Sequence, residues 1–297
     1  MIKRVFVFDL DDTLGPKKPL FPAVTPENAA YIKQLAKDGS NLLCIATSRP
    51  KFIAYEGFKK AGLLDVEVKL SFPVGVYEDG FLVEVNEERV YNVLDSVPDF
   101  VKLKKAFFDF QTVSFFKQNG FLIHLGEVGK DFKFPEGLIV IQKQANDVKA
   151  VYRSYQGFMG DDLDKQAPYF EKVGELAEQN LDSRFPNWRG VAELVVWKDA
   201  VDLYPKLSRG LYLKGHGLDI ALSSYELWED VEVFICGDGN NDIQMVEWAA
   251  KKFKNYKVVC PSNLSNDLRL FLVEGGFNYQ LLEEDCTKFC QGLSKLL

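Results

Sequence analysis

The sequence has few of the features that are typical of membrane, secreted or nucleic-acid-binding proteins. None of its apolar runs approaches the roughly 20 residues that a membrane-spanning helix needs. The net charge of −7 argues against a nucleic-acid partner, because such partners are bound mainly through Lys and Arg. The five cysteines are an odd number and include no CxxC pair. We therefore expect reduced thiols, a cytoplasmic location, and neither a nucleic-acid nor a membrane partner.

What the chain does contain is a repeated alternation of short apolar strands and amphipathic helices. Its 297 residues are 47% hydrophobic and 27% charged, which is enough for one large α/β domain or two smaller ones. Buried strands that alternate with helices predict a parallel sheet covered on both faces. The predicted strands of this kind are Arg4–Phe8, Leu42–Ala46, Val66–Leu70, Val231–Cys236 and Tyr256–Cys260.

The middle of the chain has a different pattern. Between about residues 84 and 196 we predict one helix through Phe100 and Phe110, followed by neighbouring antiparallel strands at Phe121–Leu125 and Gly137–Gln142. Ala192–Trp197 and Ala200–Tyr204 are predicted to return the chain to the first domain. The predicted organisation is a discontinuous α/β core of residues 1–83 and 197–297, with an inserted α+β domain of residues 84–196.

Two acidic segments follow predicted strands. Asp9, Asp11 and Asp12 come directly after the first strand, where three carboxylates are costly unless a cation or substrate uses them. A solvated acidic turn is the alternative for this segment alone. Asp238 and Asp242 follow the strand Val231–Cys236. Because ligands of open α/β sheets bind at the carboxyl ends of the strands, the two segments are expected to converge.

Carboxylate oxygens without nearby histidine or cysteine favour Mg²⁺ over zinc. The loop that begins at Asp238 could also resemble half of a calcium-binding EF-hand. Such a loop ends with a glutamate, and this chain has Ala249 there. We therefore set calcium aside and predict Mg²⁺ as the cofactor.

The order D-x-D-x-T and then G-D-x-x-N-D, each after a strand, resembles the haloacid dehalogenase (HAD) superfamily. Thr47, in the string Thr-Ser-Arg-Pro, fits the second motif of that family, although Ser48 replaces the usual glycine. Lys214, followed by glycine, fits the third motif, and Lys206 and Arg209 are nearby rivals. The resemblance implies a Rossmann-like HAD core with an α+β cap inserted between the second and third motifs.

The resemblance also implies roles for particular residues. Asp9 would be the nucleophile and Asp11 the general acid and base, while Thr47 and Lys214 would bind the phosphoryl oxygens. The implied metal ligands are Asp9, Asp11 (through its backbone carbonyl), Asp238 and Asp242. The other candidate substrate-binding residues are Thr13, Ser48, Arg49, Asp79, Gly80 and Asn241. Asp79 stands where many relatives carry an asparagine.

The position of the insertion is similar to that of the Cof-like branch, which contains sucrose-phosphate and mannosyl-3-phosphoglycerate phosphatases. It implies a Mg²⁺-dependent phosphomonoester hydrolase that acts on a small phosphorylated metabolite, with a sugar phosphate as the expected substrate. Two alternatives stay open. One is a phosphomutase of the phosphomannomutase type, and the other is a non-catalytic binding protein on the same fold. The sequence leaves the oligomeric state open.

Overall fold

A computed structural model describes the chain except for residues 17–23, 65–70, 109, 126–137, 143–147, 149, 155–162, 199, 207–213 and 228–229. The chain divides into two compact units. The core unit comprises Met1–Tyr91 and Tyr212–Leu297, and the inserted unit comprises Asn92–Leu211. Within the described residues, no helix is both long enough and apolar enough to cross a membrane.

The described strands, and then the described helices, are each given in chain order. The strands are β1 (Arg4–Phe8), β2 (Asn41–Ala46), β3 (Val74–Tyr77), β4 (Leu82–Val85), β5 (Glu88–Asn92), β6 (Leu122–Leu125), β7 (Leu138–Gln142), β8 (Ala150–Ser154), β9 (Ala192–Val196), β10 (Ala200–Pro205), β11 (Glu232–Cys236), β12 (Tyr256–Cys260) and β13 (Tyr279–Leu281). The helices are α1 (Pro26–Lys37), α2 (Lys51–Lys60), α3 (Pro98–Phe107), α4 (Phe110–Gln118), α5 (Leu163–Arg184), α6 (Lys214–Leu222), α7 (Ile243–Lys252), α8 (Asn266–Glu274) and α9 (Phe289–Ser294).

The core unit is built on a sheet with the strand order β13-β12-β11-β1-β2-β3-β4-β5. The strands from β13 to β3 are parallel, and β4 runs antiparallel to β3. The predicted α/β fold with a mainly parallel sheet is therefore confirmed. The predicted strand Val66–Leu70 lies outside the described residues, and the strand that pairs with β2 on this side is β3.

Both faces of this sheet are covered, as the continuous apolar strands predicted. Phe6 and Phe8 of β1 pack with α1, α2 and α9, while Val5 and Val7 pack on the other face with α6, α7 and α8. α1 begins with a side-chain cap, because the Thr25 side chain accepts a hydrogen bond from the backbone N–H of Asn28. Burial on both faces leaves the ends of the strands as the place where polar side chains can gather.

The inserted unit has its own sheet, with the order β6-β7-β8-β10-β9, and its own aromatic core. The predicted antiparallel pairing of the two strands near 121–142 is wrong, because β6 and β7 are parallel. Residues 126–137 separate them, and parallel neighbours need a connection of about that length. The single predicted helix is two helices, since Phe108 has a non-helical backbone after α3.

The boundaries of the insertion also differ from the predicted ones. β10 pairs antiparallel with β8 and β9, so both Ala192–Trp197 and Ala200–Tyr204 belong to the inserted unit rather than to the core. β4 pairs with β3 of the core sheet, so the core extends beyond residue 83. Strand pairing decides both boundaries, and hydrogen-bond partners cannot be read from hydrophobic pattern alone.

Candidate active site

Asp9 lies at the carboxyl end of β1, between two parallel neighbours. Phe8 is in register with Cys236 of β11 on one side and Ile45 of β2 on the other. The backbone N–H of Asp9 donates to the carbonyl of Cys236 at 2.8 Å, so the ladder continues up to the carboxylate. The loops that follow β11 and β2 therefore begin beside Asp9, whose residue exposure is only 3%.

Three carboxylates form a cluster, one at the end of β1 and two in the loop after β11. Asp9, Asp238 and Asp242 can each offer one oxygen such that all three atoms lie within 4.8 Å of one another. Lys214, at the start of α6, is 1% exposed, and its Nζ donates to Asp9 Oδ1 and to Asp242 Oδ1, both at 2.6 Å. The chain thus brings the predicted nucleophile, the predicted cation and two predicted metal ligands together.

The loop after β11 holds Asp242 in one orientation. Its Oδ2 accepts hydrogen bonds from the backbone N–H groups of Asp238, at 2.9 Å, and Gly239, at 3.0 Å. A side chain at Gly237 would not fit, because a Cβ there would lie 2.5 Å from Asp242 Oδ2. The glycine of the motif is therefore required for the close approach of the carboxylate to its own loop.

The cluster carries more negative than positive charge. Burial, with the charge of Asp242, raises the pKa of Asp9 well above its usual value, and Lys214 only partly opposes this shift. Burial and Asp242 likewise raise the pKa of Asp238 to about 7. Burial alone would lower the pKa of Lys214, but the charges of Asp242 and Asp9 raise it. Three carboxylates around one ammonium group leave an excess of negative charge. This excess suits a divalent cation with oxygen ligands, so these residues fit Mg²⁺.

The side chain of Asp11 points to a different partner. Arg49 donates from Nε to Asp11 Oδ2 at 2.7 Å and from Nη2 to Oδ1 at 3.1 Å, which is a two-bond, fork-like ion pair. The Asp11 carboxylate is thus turned to Arg49, and its backbone carbonyl stays the predicted metal ligand. Arg49, predicted to bind substrate, is mostly buried and holds the predicted general acid.

The tight turn after β1 explains how Thr13 is used. Asp12 adopts a left-handed backbone with φ of 56°, and its N–H donates to the carbonyl of Gly15 at 2.7 Å. This turn brings Thr13 Oγ1 to Asp238 Oδ1 at 2.9 Å. Thr13 is fully buried and its hydroxyl donates to a metal-ligand candidate, while its role in substrate binding stays a prediction.

Thr47 lies at the end of β2, and it is also buried. Its backbone N–H donates to the carbonyl of Val76 at 2.9 Å, and its Oγ1 accepts from the backbone N–H of Arg49 at 3.1 Å. Two of its predicted neighbours in substrate binding, Ser48 and Asp79, are hydrogen-bonded to each other. Asn241 Nδ2 donates to Ser48 Oγ at 2.9 Å, so these three candidates are connected across three loops.

Gly80 has a structural role in the turn after β3. It has a φ of 95°, a conformation that favours glycine, and it is buried. A Cβ on Gly217 of α6 would lie 3.1 Å from the Gly80 Cα, so the helix packs closely on this turn. Gly80, predicted to bind substrate, is thus placed at a packing contact.

One residue of this region was not predicted from the sequence. Asn263, in the loop between β12 and α8, donates from Nδ2 to the carbonyl of Asp12 at 2.8 Å and accepts from the backbone N–H of Cys286 at 2.9 Å. It connects the turn after β1 to the C-terminal segment. An asparagine in a loop 251 residues away from Asp12 has no local signal that would reveal this contact.

Lys206 and Arg209 are the other two candidates for the phosphate-binding cation. Lys206 lies in the inserted unit and donates to the backbone carbonyl of Arg189 at 3.3 Å. Arg209 lies outside the described residues. Lys214 is the predicted cation that contacts the carboxylate cluster.

Comparison with known proteins agrees with these motifs. A family model described as haloacid dehalogenase-like hydrolase matches residues 6–253. No curated protein gives a significant match. Similar solved structures include TM0651 from Thermotoga maritima, with 17% identity, a TM-score of 0.58 and coverage of 100% of this chain and 96% of that one. Another is the HAD subclass IIB sugar phosphatase BT4131, with 16% identity, a TM-score of 0.53 and coverage of 99% and 97%.

A third similar structure is the C-terminal domain of trehalose-6-phosphate phosphatase from C. albicans, with 13% identity, a TM-score of 0.53 and coverage of 99% and 92%. At these identities the solved structures establish the fold that the chain shares with them. The family model covers most of the chain and includes Asp9, Asp238, Asp242 and Lys214. The chain therefore belongs to the haloacid dehalogenase-like hydrolases, as its motifs predicted.

Proposed function

We propose that this hydrolase is a Mg²⁺-dependent phosphatase that cleaves small phosphate monoesters through a phosphorylated Asp9. The observation that carries the proposal is the contact of Lys214 with both Asp9 and Asp242 inside the buried carboxylate cluster. A buried carboxylate whose one oxygen is held by a lysine is suited to nucleophilic attack with its other oxygen. The same lysine offers positive charge to an incoming phosphoryl group.

In the proposed first step, an oxygen of Asp9 forms a bond to phosphorus. The bond from phosphorus to the oxygen of the alcohol breaks, and that oxygen leaves with the electron pair and takes a proton from Asp11. In the second step a water molecule attacks phosphorus and gives its proton to Asp11, while the bond between Asp9 and phosphorus breaks. Mg²⁺, held by Asp9, Asp238 and Asp242, would offset the repulsion between the carboxylate and the phosphoryl dianion.

Arg49 has a clear place in this scheme. Its two-bond contact fixes the orientation of the Asp11 carboxyl group, which in this scheme accepts the proton of the attacking water. In the first step Asp11 must carry a proton, and a neutral carboxyl group binds an arginine less well. The contact between Asp11 and Arg49 is therefore expected to loosen and re-form within one catalytic cycle.

We further propose a sugar phosphate or similar polyol ester as the substrate, with the inserted unit as the main determinant of specificity. The carboxylate cluster and Lys214 suit a cation and a phosphoryl group. All phosphate monoesters have the same phosphoryl group, so these residues do not distinguish one ester from another. Of the proteins with a similar fold, one is named a sugar phosphatase and another a trehalose-6-phosphate phosphatase, which supports this substrate class. The cytoplasm remains the predicted compartment.

The test is a screen of phosphorylated metabolites with excess Mg²⁺ and with excess chelator. We expect release of inorganic phosphate that requires Mg²⁺ and disappears in Asp9→Asn. Phosphatase activity that persists in excess chelator would contradict the mechanism. Transfer of the phosphoryl group to a second sugar position, with little net phosphate release, would instead favour the phosphomutase alternative.

A second experiment addresses the inserted unit. Its exchange for that of another member of the family should change the order of preferred sugar phosphates, while hydrolysis of phenyl phosphate persists. If the exchanged protein kept the original order of preference, specificity would have to come from the core unit.

A further inference from the structure

Three polar side chains from three loops of the core unit form one hydrogen-bonded chain. Asn241, in the loop after β11, donates from Nδ2 to the hydroxyl oxygen of Ser48, in the loop after β2, at 2.9 Å. That hydroxyl donates in turn to Oδ1 of Asp79, in the turn after β3. Ser48 and Asp79 are the two positions where glycine and asparagine are usual in the motifs described above, so both departures meet in one hydrogen bond.

Asp79 determines which atom donates and which accepts in each of these hydrogen bonds. A carboxylate can only accept hydrogen bonds, whereas a serine hydroxyl has one hydrogen to donate and lone pairs with which to accept. The hydrogen of Ser48 is used toward Asp79, so the oxygen of Ser48 accepts from its other neighbour. Asn241 must therefore turn its NH₂ group to Ser48, and its carbonyl oxygen Oδ1 faces away from Ser48.

The carbonyl oxygen of the Asn241 side chain lies close to Gly239. Asn241 is exposed, and its Oδ1 would lie 2.9 Å from a Cβ built on Gly239. Gly239 leaves this space open because it has no side chain. The amide thus presents an acceptor beside the loop that carries Asp238 and Asp242.

The hydrogen-bonded chain is also tied to the predicted phosphoryl site. The backbone N–H of Asp79 donates to the carbonyl of Thr47 at 3.2 Å. At its other end, Asn241 directly precedes Asp242 of the carboxylate cluster. The Asn241 amide therefore belongs to the loop that carries two of the three clustered carboxylates.

We propose that Asp79, acting through Ser48, is a positioning residue that orients the Asn241 amide so that Oδ1 accepts a hydrogen bond from a hydroxyl group of the substrate's alcohol portion. The oxygens of a phosphoryl dianion only accept, so they cannot bind the Oδ1 end of the amide, whereas a hydroxyl group can. An ester whose alcohol portion has no hydroxyl group lacks this contact. The proposal rests on the proposed phosphatase function, and it adds which chemical group of the substrate is recognised and by which atom.

Its test compares two kinds of substrate on the full-length protein with Mg²⁺. One is the hexose 6-phosphate that the wild type cleaves fastest, and the other is phenyl phosphate, which has no hydroxyl group. In Ser48→Ala the hydrogen-bonded chain is broken, and in Asp79→Asn the new amide can donate to Ser48 and allow the Asn241 amide to turn over. We expect kcat/KM for the hexose phosphate to fall about fivefold to tenfold in each, mainly through KM, and to fall much less for phenyl phosphate.

Two further variants separate this role from a general effect on folding. Ser48→Thr retains the hydroxyl group and should recover most of the loss seen in Ser48→Ala. The double variant Ser48→Ala/Asp79→Asn should be no worse than the poorer single variant, since both changes remove the same orientation. Equal losses on the two substrates, additive losses in the double variant, or a Thr variant as poor as the Ala variant would each overturn the proposal.

The outcome also separates this proposal from the proposed function. If the wild type cleaves neither ester, the proposed phosphatase function fails, and this proposal fails with it. If the wild type cleaves phenyl phosphate and no hexose phosphate, this proposal and the proposed sugar-phosphate substrate both fail, while the phosphatase activity stands. If all variants match the wild type on both esters, only the orientation of Asn241 by Asp79 is refuted.

Discussion

The replacement Asp9→Asn should abolish activity and at the same time make the metal-free protein more stable. Asparagine has the shape of aspartate and retains an oxygen that can accept the hydrogen bond from Lys214. It lacks the negative charge, which is unfavourable here because burial and the charge of Asp242 raise the pKa of Asp9. The proposed nucleophile thus lowers the stability of the folded, metal-free protein.

The size of the two effects follows from the site. Loss of the proposed nucleophile should lower kcat by at least about 10³-fold. Removal of a buried, incompletely compensated charge should stabilise the core unit by about 1–3 kcal/mol. For a chain of this size such a gain corresponds to a rise in Tm of about 2–10 °C.

The gain in stability should also depend on pH. A raised pKa in the folded state means that the stability contributed by the protonated carboxyl group is fully present below its unfolded pKa and is lost as the pH rises through the folded pKa. Asp9→Asn should therefore melt like the wild type near pH 3 and melt higher than the wild type at pH 7. Both measurements are made by thermal melting in the presence of chelator.

Asp12→Asn is the matched control, because it makes the same chemical change three residues away in the same turn. Asparagine tolerates the left-handed backbone of Asp12, and this carboxylate is not part of the Asp9, Asp238 and Asp242 cluster. Its activity should stay within about threefold and its stability within about 0.5 kcal/mol of the wild type. An Asp9→Asn protein that is less stable than the wild type at pH 7, or that keeps a tenth of its activity, would refute the reasoning.

Three more predictions concern the surroundings of Asp9. Mg²⁺ affinity, measured by calorimetry, should weaken as the pH falls below about 7. Burial and the charge of Asp242 raise the pKa of Asp238 to about 7, and a proton on Asp238 competes with the cation. An affinity that is constant from pH 8 to 5.5 would contradict this. Gly237→Ala should cost about 1–3 kcal/mol in urea unfolding and weaken Mg²⁺ binding, because its Cβ would displace a carboxylate 2.5 Å away, whereas Gly39→Ala, with open space around it, should do neither. Arg49→Lys retains the charge but loses the forked contact with the predicted general acid, so kcat should fall by about tenfold, and an unchanged kcat would exclude that contact from the mechanism.

The sequence by itself predicted the features that depend on short stretches of chain. The apolar runs around Phe6, Leu43 and Phe234 predicted buried parallel strands, because both faces of such a strand meet helices. The acidic segments after the first and the later strand predicted a shared site, since parallel strands end at the same edge of a sheet. The fold class, the family and the convergence of Asp9 with Asp238 and Asp242 could all be predicted from these local patterns.

The tertiary structure alone decided which side chains face each other. It paired Arg49 with Asp11, placed Thr13 on Asp238 and directed Ser48 to Asp79, although sequence motifs had assigned all of the first partners to substrate. It also placed β10 in the inserted unit and made β6 and β7 parallel. Hydrophobic period determines which face of a strand is buried, whereas pairing, register and side-chain partners depend on residues distant in the sequence, and for these contacts the chain carries no local signal.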